Sequence, residues 1–365
     1  MKKNSALLIF LLIAAPLFAQ SPAQKQAIQT LVEKQLTPDI PGVLLHVESG
    51  DRSIEGSYAA GISDKISSKE LLPEQTFRIA SVTKTFVAAS ILRLWEEGKL
   101  KLEDPISRYI SAEHAKILSK DYDLEKISLL QTLRHNAGFF DHTYAPEFFE
   151  KVQQPGGHVW TRTEQLQLCV DAGEPIGAPG EKFGYSDTGY ILLGEVIENI
   201  SGKPLGVAIP EILDFQKLGL KNTAFEGLDP KVDNARIHQY FQGVDTFNYH
   251  PSMDYFGGGG FLSTTADLSR FFLALFHDRV FANPQTLQQM LESVSYASTP
   301  AMDYRIGIYR IEVNGIEAYS HAGFWGTQLI YLPSLDLAMA TNYSQIWKGR
   351  IAPIFAEVLP ILAKD

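Results

Sequence analysis

The chain is expected to be an α+β protein, an antiparallel sheet built from both chain ends and flanked by terminal helices, with an inserted mainly helical domain. Three observations lead there. Two strand-like runs stand near the start, four more stand near the end, and the stretch between is dominated by helical segments, loops and Gly/Pro turns. The expected division is a sheet domain over 20–104 and 256–365 and the helical insertion over 105–255.

At the start, Pro22 to Leu36 carries the apolar spacing of an amphipathic helix. Gly42 to Glu48 and Ser53 to Ala60 read as strands around the turn Ser49-Gly50-Asp51-Arg52. Val82 to Glu97 is helical and stops at Gly98. In the middle, Ile127–Leu133, Thr163–Asp171 and Thr188–Ile200 are helical, and Thr265–Phe276 follows a glycine run. Tyr304–Val313, Ile316–His321, Gln328–Leu332 and Asp336–Thr341 read as consecutive strands, with hairpin turns at Asn314-Gly315 and Pro333-Ser334. A helix over Arg350–Ala363 closes the chain.

The N-terminus stands apart. Lys2 and Lys3 precede an apolar run from Ala6 to Phe18 that is too short to span a bilayer. This is the pattern of a secretory signal over residues 1–19, cleaved after Ala19. No cysteine follows it, so a lipid anchor is not expected, and the mature chain is expected in the periplasm or outside the cell without a membrane anchor. The single Cys169 lies in an apolar helical stretch and reads as core packing.

With 365 residues, 45% hydrophobic and 20% charged, the chain can bury a large core without cross-links. Its net charge of −10, without a basic cluster, argues against a nucleic-acid partner. None of the nine histidines falls in a His-x-x-x-His pair, and nothing calls for a metal or another cofactor.

Three segments can carry chemistry. Ser81-Val82-Thr83-Lys84 is the only Ser-x-x-Lys, at the start of a nearly all-apolar helix. The i, i+3 spacing sets the Lys84 ammonium beside the Ser81 hydroxyl. A serine hydroxyl needs such a neighbour to become a nucleophile, and a helix N-terminus favours a developing oxyanion. Tyr185-Ser186-Asp187 enters a second helix, where a phenol near a lysine can shuttle protons, its pKa lowered by the positive charge. The plain alternative is a helix cap by Ser186 or Asp187. His321-Ala322-Gly323-Phe324 closes a strand; the glycine admits a close approach to the backbone, and the histidine offers a donor or charge for a carboxylate.

In this order the three segments resemble the motifs of the serine β-lactamases and penicillin-binding proteins, in the branch of class C β-lactamases and D-alanyl-D-alanine carboxypeptidases, which also holds esterases and D-aminopeptidases. Leu129–Gly138 and Gly258–Leu268 look like further segments of that family. The resemblance implies a β-lactamase/transpeptidase-like fold and a serine hydrolase working through an acyl-enzyme on a β-lactam, D-amino-acid peptide or ester. It makes Ser81 the nucleophile, Lys84 its proton partner and Tyr185 the general base and then acid. The backbone N–H groups of Ser81 and Phe324 become the oxyanion hole, and His321 takes the place of the cation beside a substrate carboxylate.

Two residues depart from the pattern. Asp187 replaces the usual Asn, and a carboxylate there is expected to pair with Lys84 and keep it charged, leaving the base work to Tyr185. The segment also reads as Ser186-Asp187-Thr188, with Ser186 as the shuttle. His321 replaces a lysine and weakens the case for a strong β-lactamase. A carboxypeptidase-like enzyme is the first expectation, with an esterase, a D-aminopeptidase or a non-hydrolytic penicillin sensor as alternatives. An α/β-hydrolase is excluded, since Gly184-Tyr185-Ser186-Asp187-Thr188 lacks the final glycine of its motif.

Overall fold

A computed structural model describes residues 20–154, 157–296, 300, 302–345 and 352–363. The predicted signal segment lies outside them, as do the first two residues of the predicted closing helix. No helix among the described residues is long and apolar enough to cross a membrane.

Seven strands form one antiparallel sheet, in the order Glu55–Gly61, Gly42–Ser49, Leu337–Tyr343, Thr327–Leu332, Ile316–Gly323, Tyr309–Val313 and Asp303–Tyr304. The two ends of the chain meet at its centre, where Val43 pairs with Tyr343 and Ser49 with Leu337. Strand Gly42–Ser49 is buried at every position because both faces of the sheet are covered. Val43, Leu45 and Val47 face the terminal helices Pro22–Glu33 and Pro353–Leu362, packing with Ile28, Val32, Phe355 and Val358. Leu44 on the opposite face joins Phe271 and Phe272 of helix Thr265–Phe276.

Local chemistry explains where the elements begin and end. Ser21 caps the first helix in a reciprocal box with Gln24, and Pro22 fills the first turn. Asn314 and Gly315 both have positive φ, as a two-residue primed hairpin requires. Two expectations are corrected. Pro333–Leu335 forms a 3-10 turn with Asp336 left-handed after it, so the next strand starts at Leu337. Tyr304–Val313 is interrupted: Gly307, at φ +69°, lies so close to helix Thr83–Glu96 that a Cβ would sit 2.4 Å from the Ala88 Cβ, and its carbonyl accepts from the Thr85 hydroxyl.

Helix Thr83–Glu96 has eleven of fourteen residues buried, so it is a core helix whose N-terminal end emerges at a cleft. Each fully buried Phe, Leu or Ile on it contributes about 1.5–3 kcal/mol. Cys169 is buried in helix Arg162–Asp171 beside the Tyr122 hydroxyl, and burial pushes its thiol up to about 11. It is a packing residue.

A small three-stranded sheet had no signal in the sequence. Phe261–Ser263 pairs on one side with Phe77–Arg78 and on the other with Ala224–Phe225. It anchors the segment that leads into Ser81.

Candidate active site

Arg78 is the root of the site. It is buried and forks onto the Glu226 carboxylate at 2.8 and 2.9 Å, and its guanidinium also donates to the Thr246 and Tyr249 carbonyls. The Arg78 carbonyl in turn accepts from Thr327 and Gln239. Two residues on, Ala80 is held at φ +44°, a left-handed conformation costing about 1–2 kcal/mol for a residue with a Cβ. Gly323, at the end of a central strand, passes so close that a Cβ would meet the Ile79 carbonyl oxygen at 2.1 Å. That approach needs glycine, and it brings Phe324 to the wall of the cleft that holds Ser81.

Ser81 sits in the 3-10 turn Ala80–Val82 that opens helix Thr83–Glu96. The Lys84 ammonium, fully buried, donates to the Ser81 hydroxyl at 2.9 Å and the Gly258 carbonyl at 2.9 Å, and pairs with Asp187 at 2.7 Å. Three N–H donors thus meet three acceptors. Tyr185, beside the Lys84 side chain, hydrogen-bonds Ser81. Burial and the Asp187 carboxylate hold its phenol well above the ordinary value of 10. This corrects the expectation that Lys84 lowers it: the ammonium lies over the ring, 5.0 Å from its centre, and Asp187 offsets its charge.

Ser186 turns away. It is buried, its hydroxyl donates to the Phe140 carbonyl, and its N–H donates to His135 Nδ1. His135, left-handed at φ +54°, packs against Tyr185 at 4.2 Å, Tyr190 at 4.8 Å and Tyr304 at 4.6 Å between ring centres. Burial holds it neutral and it props the Tyr185 ring.

His321 also departs from expectation. It is buried against Tyr304 and Tyr309, with Nδ1 on the Ala322 carbonyl and Nε2 near the Tyr304 hydroxyl. Burial and the nearby Lys84 charge push it down to about 3. A neutral imidazole inside the protein is not the cation a substrate carboxylate would meet.

The pocket has a volume of about 310 Å³, and Ser81, Tyr185, Asp187 and Phe324 open onto it. Phe148, Phe149 and Trp325 form an aromatic wall, Tyr144 stands exposed at the rim, and Asp141 and Asp254 complete the lining. No sequence signal marked these residues. Asp141 follows the Leu129–Gly138 segment by three positions, and Asp254 is held by the Trp325 indole N–H at 2.6 Å across 71 residues of chain. Burial raises both carboxyls to about 6, with the Asp187 charge adding to the shift. Among the described residues no group of three or more His, Cys, Asp and Glu is arranged to hold a metal ion.

Comparison with known proteins agrees with this geometry. The D-alanyl-D-alanine-carboxypeptidase/endopeptidase AmpH of Escherichia coli (strain K12) is 27% identical over 281 residues, 71% of this chain and 67% of that protein. Esterase EstB of Burkholderia gladioli is 29% identical over 56% of this chain and half of its own length. The D-amino acid amidase of Ochrobactrum anthropi SV3, solved with D-phenylalanine, superposes with a TM-score of 0.78 at 20% identity, covering 93% of this chain and 99% of that one. The Beta-lactamase family model matches residues 25–345, so the chain belongs to the β-lactamase family.

Proposed function

We propose that the protein is an exported serine hydrolase in which Ser81 is acylated by an amide or ester and then released by water. The observation that carries this reading is the Lys84 ammonium between Ser81, Asp187 and the Gly258 carbonyl, with Tyr185 bonded to Ser81 at the same pocket. The leader expected over 1–19 supports export.

A neutral phenol is not a standing base, so Tyr185 acts as a relay. As the Ser81 oxygen bonds to the acyl carbon, its proton passes to the Tyr185 oxygen, and the proton Tyr185 carried passes to the leaving nitrogen or oxygen. The carbonyl electron pair moves onto its oxygen, which the N–H groups of Ser81 and Phe324 stabilise; the C–N or C–O bond then breaks. Water reverses the relay and frees Ser81. Lys84 holds the Ser81 oxygen in line and stabilises the charge it develops.

The pocket lining contains no arginine, lysine or histidine. A carboxypeptidase needs an anchor for its substrate's terminal carboxylate, so this lining favours the amidase or esterase alternative within the same chemistry. Intact-mass spectrometry after incubation with benzylpenicillin, alongside p-nitrophenyl acetate hydrolysis, tests the reading. Ester turnover, with or without a penicilloyl adduct, is expected in the wild type and lost in Ser81→Ala. Ester turnover equal in the two proteins would overturn it.

A further inference from the structure

We propose that the pocket selects acyl donors carrying a free ammonium group, held by Asp141 with Asp254 facing the same space, while an apolar side chain lies on the wall of Phe148, Phe149 and Phe324. The inference rests on Ser81 being the acylated residue and names the substrate class for it.

The argument is one of unmatched charge. Three aspartates line the pocket and no cationic side chain does. Lys84, behind the lining, is committed to Asp187. Arg78 is committed to Glu226, which Arg236 also approaches. Two carboxylates are therefore left facing an enclosed space without a counter-charge.

Asp141 is the sharper case. It is only 3% exposed. One oxygen accepts both the N–H and the hydroxyl of Thr143, at 3.0 and 2.8 Å. No donor among the described residues reaches the other oxygen, although it borders the pocket. A buried acceptor left without a partner costs about 1–3 kcal/mol, and a buried charge costs more unless it is paired. Such a group in a ligand-sized cavity is completed by a ligand that brings donors and positive charge. Asp254 is steered by its bond to Trp325 and leaves its second oxygen for the same guest.

The remainder of the pocket defines the remainder of the guest. Phe149 packs edge-on to Phe148 and lies 5.8 Å from Phe324, a continuous aromatic surface next to the acidic floor. A primary ammonium offers three donors in a compact head, and aromatic faces tolerate its charge. Ammonium, apolar group and scissile carbonyl within about 310 Å³ describe the ester or amide of an α-amino acid with its amine free. A carboxylate in that place would meet two like charges and the neutral His321.

The test uses the intact enzyme and phenylalanine methyl ester, each enantiomer, against its N-acetyl counterpart. The kcat/KM ratio of free to acetylated ester is expected to exceed tenfold for the preferred enantiomer, and Asp141→Asn is expected to lower that ratio at least tenfold. Inhibition of wild-type p-nitrophenyl acetate hydrolysis keeps the result independent of how the variant folds: benzylamine competes, and benzoate at equal concentration does not. A ratio near or below one, or benzoate as the better inhibitor, overturns the ammonium site while Ser81-dependent acetate hydrolysis leaves the hydrolase reading standing. Loss of Ser81 dependence on every substrate overturns both.

Discussion

Two buried charged clusters lie within six residues of one another along the chain, and their charges are matched to different degrees. Around Arg78 the matching is complete: a bidentate bond to Glu226, two backbone carbonyls on the guanidinium, and Arg236 closing in at 3.5 Å from the same carboxylate. Around Ser81 the matching stops after one pair, Lys84 with Asp187, and Asp141 and Asp254 remain. The first cluster fixes geometry and presents nothing to solvent. The second stores unfavourable electrostatics in a pocket. A buried charge whose partner is present is part of the scaffold, and one whose partner is missing marks where a substrate binds.

The largest expected effect is on the open cluster. Ser81→Ala should lower ester turnover about 10⁴-fold or more, while its melting temperature stays close to wild type, since one hydrogen bond is lost. A collapse of folding would mean that Ser81 belongs with the scaffold instead.

The closed cluster should respond the other way. Arg78→Met strands the Glu226 carboxylate, and breaking one side of a buried pair costs about 3–5 kcal/mol, to be read from the denaturant midpoint. An unchanged midpoint would remove the distinction drawn between the clusters.

Next come the two hydroxyls of the second motif. Tyr185→Phe should cost about 10²–10⁴ in kcat. Ser186→Ala, which loses only a bond to the Phe140 carbonyl, should cost less than tenfold. The reverse order would make Ser186 the proton carrier.

The smallest effect is on stability and depends on pH. Asp141 and Asp254 have folded values near 6, above the ordinary 3.8, so between pH 4 and 6 the folded protein binds protons that the unfolded chain has released. Stability from these groups falls as pH rises through that window. Asp141→Asn should therefore stabilise at pH 7.5 by on the order of 2 kcal/mol and hardly at all at pH 4. The buried histidines act oppositely: His142 is held down to about 4, so its contribution is lost as pH falls below about 6.5. Thermal melts of wild type and variant at both pH values separate the two, and an Asp141→Asn protein less stable at pH 7.5 would mean the carboxylate is matched after all.

Much of this molecule was legible in the residues. Alternating strands at both ends, the capped helices and the primed turn at Asn314-Gly315 are local properties, written in side-chain period and backbone preference. The juxtaposition of Ser81 and Lys84 was legible because three residues of helix fix the distance between them. The break at Gly307 was not, because only the neighbouring helix demands it. Nor was the turning inward of His321: strand alternation does not say which face will be buried beside a lysine.

By itself, then, the sequence determined the fold class, the order of the three motifs and the partners within each motif, all of which depend on neighbours a few bonds or one turn away. Only the tertiary structure decided the character of the pocket. It brought Asp141 and Asp254 to one cavity, tied Asp254 to Trp325, neutralised His321 and raised the Tyr185 phenol. Charge, desolvation and unmet hydrogen bonds are set by what surrounds a group in space, and residues distant along the chain supply most of those surroundings.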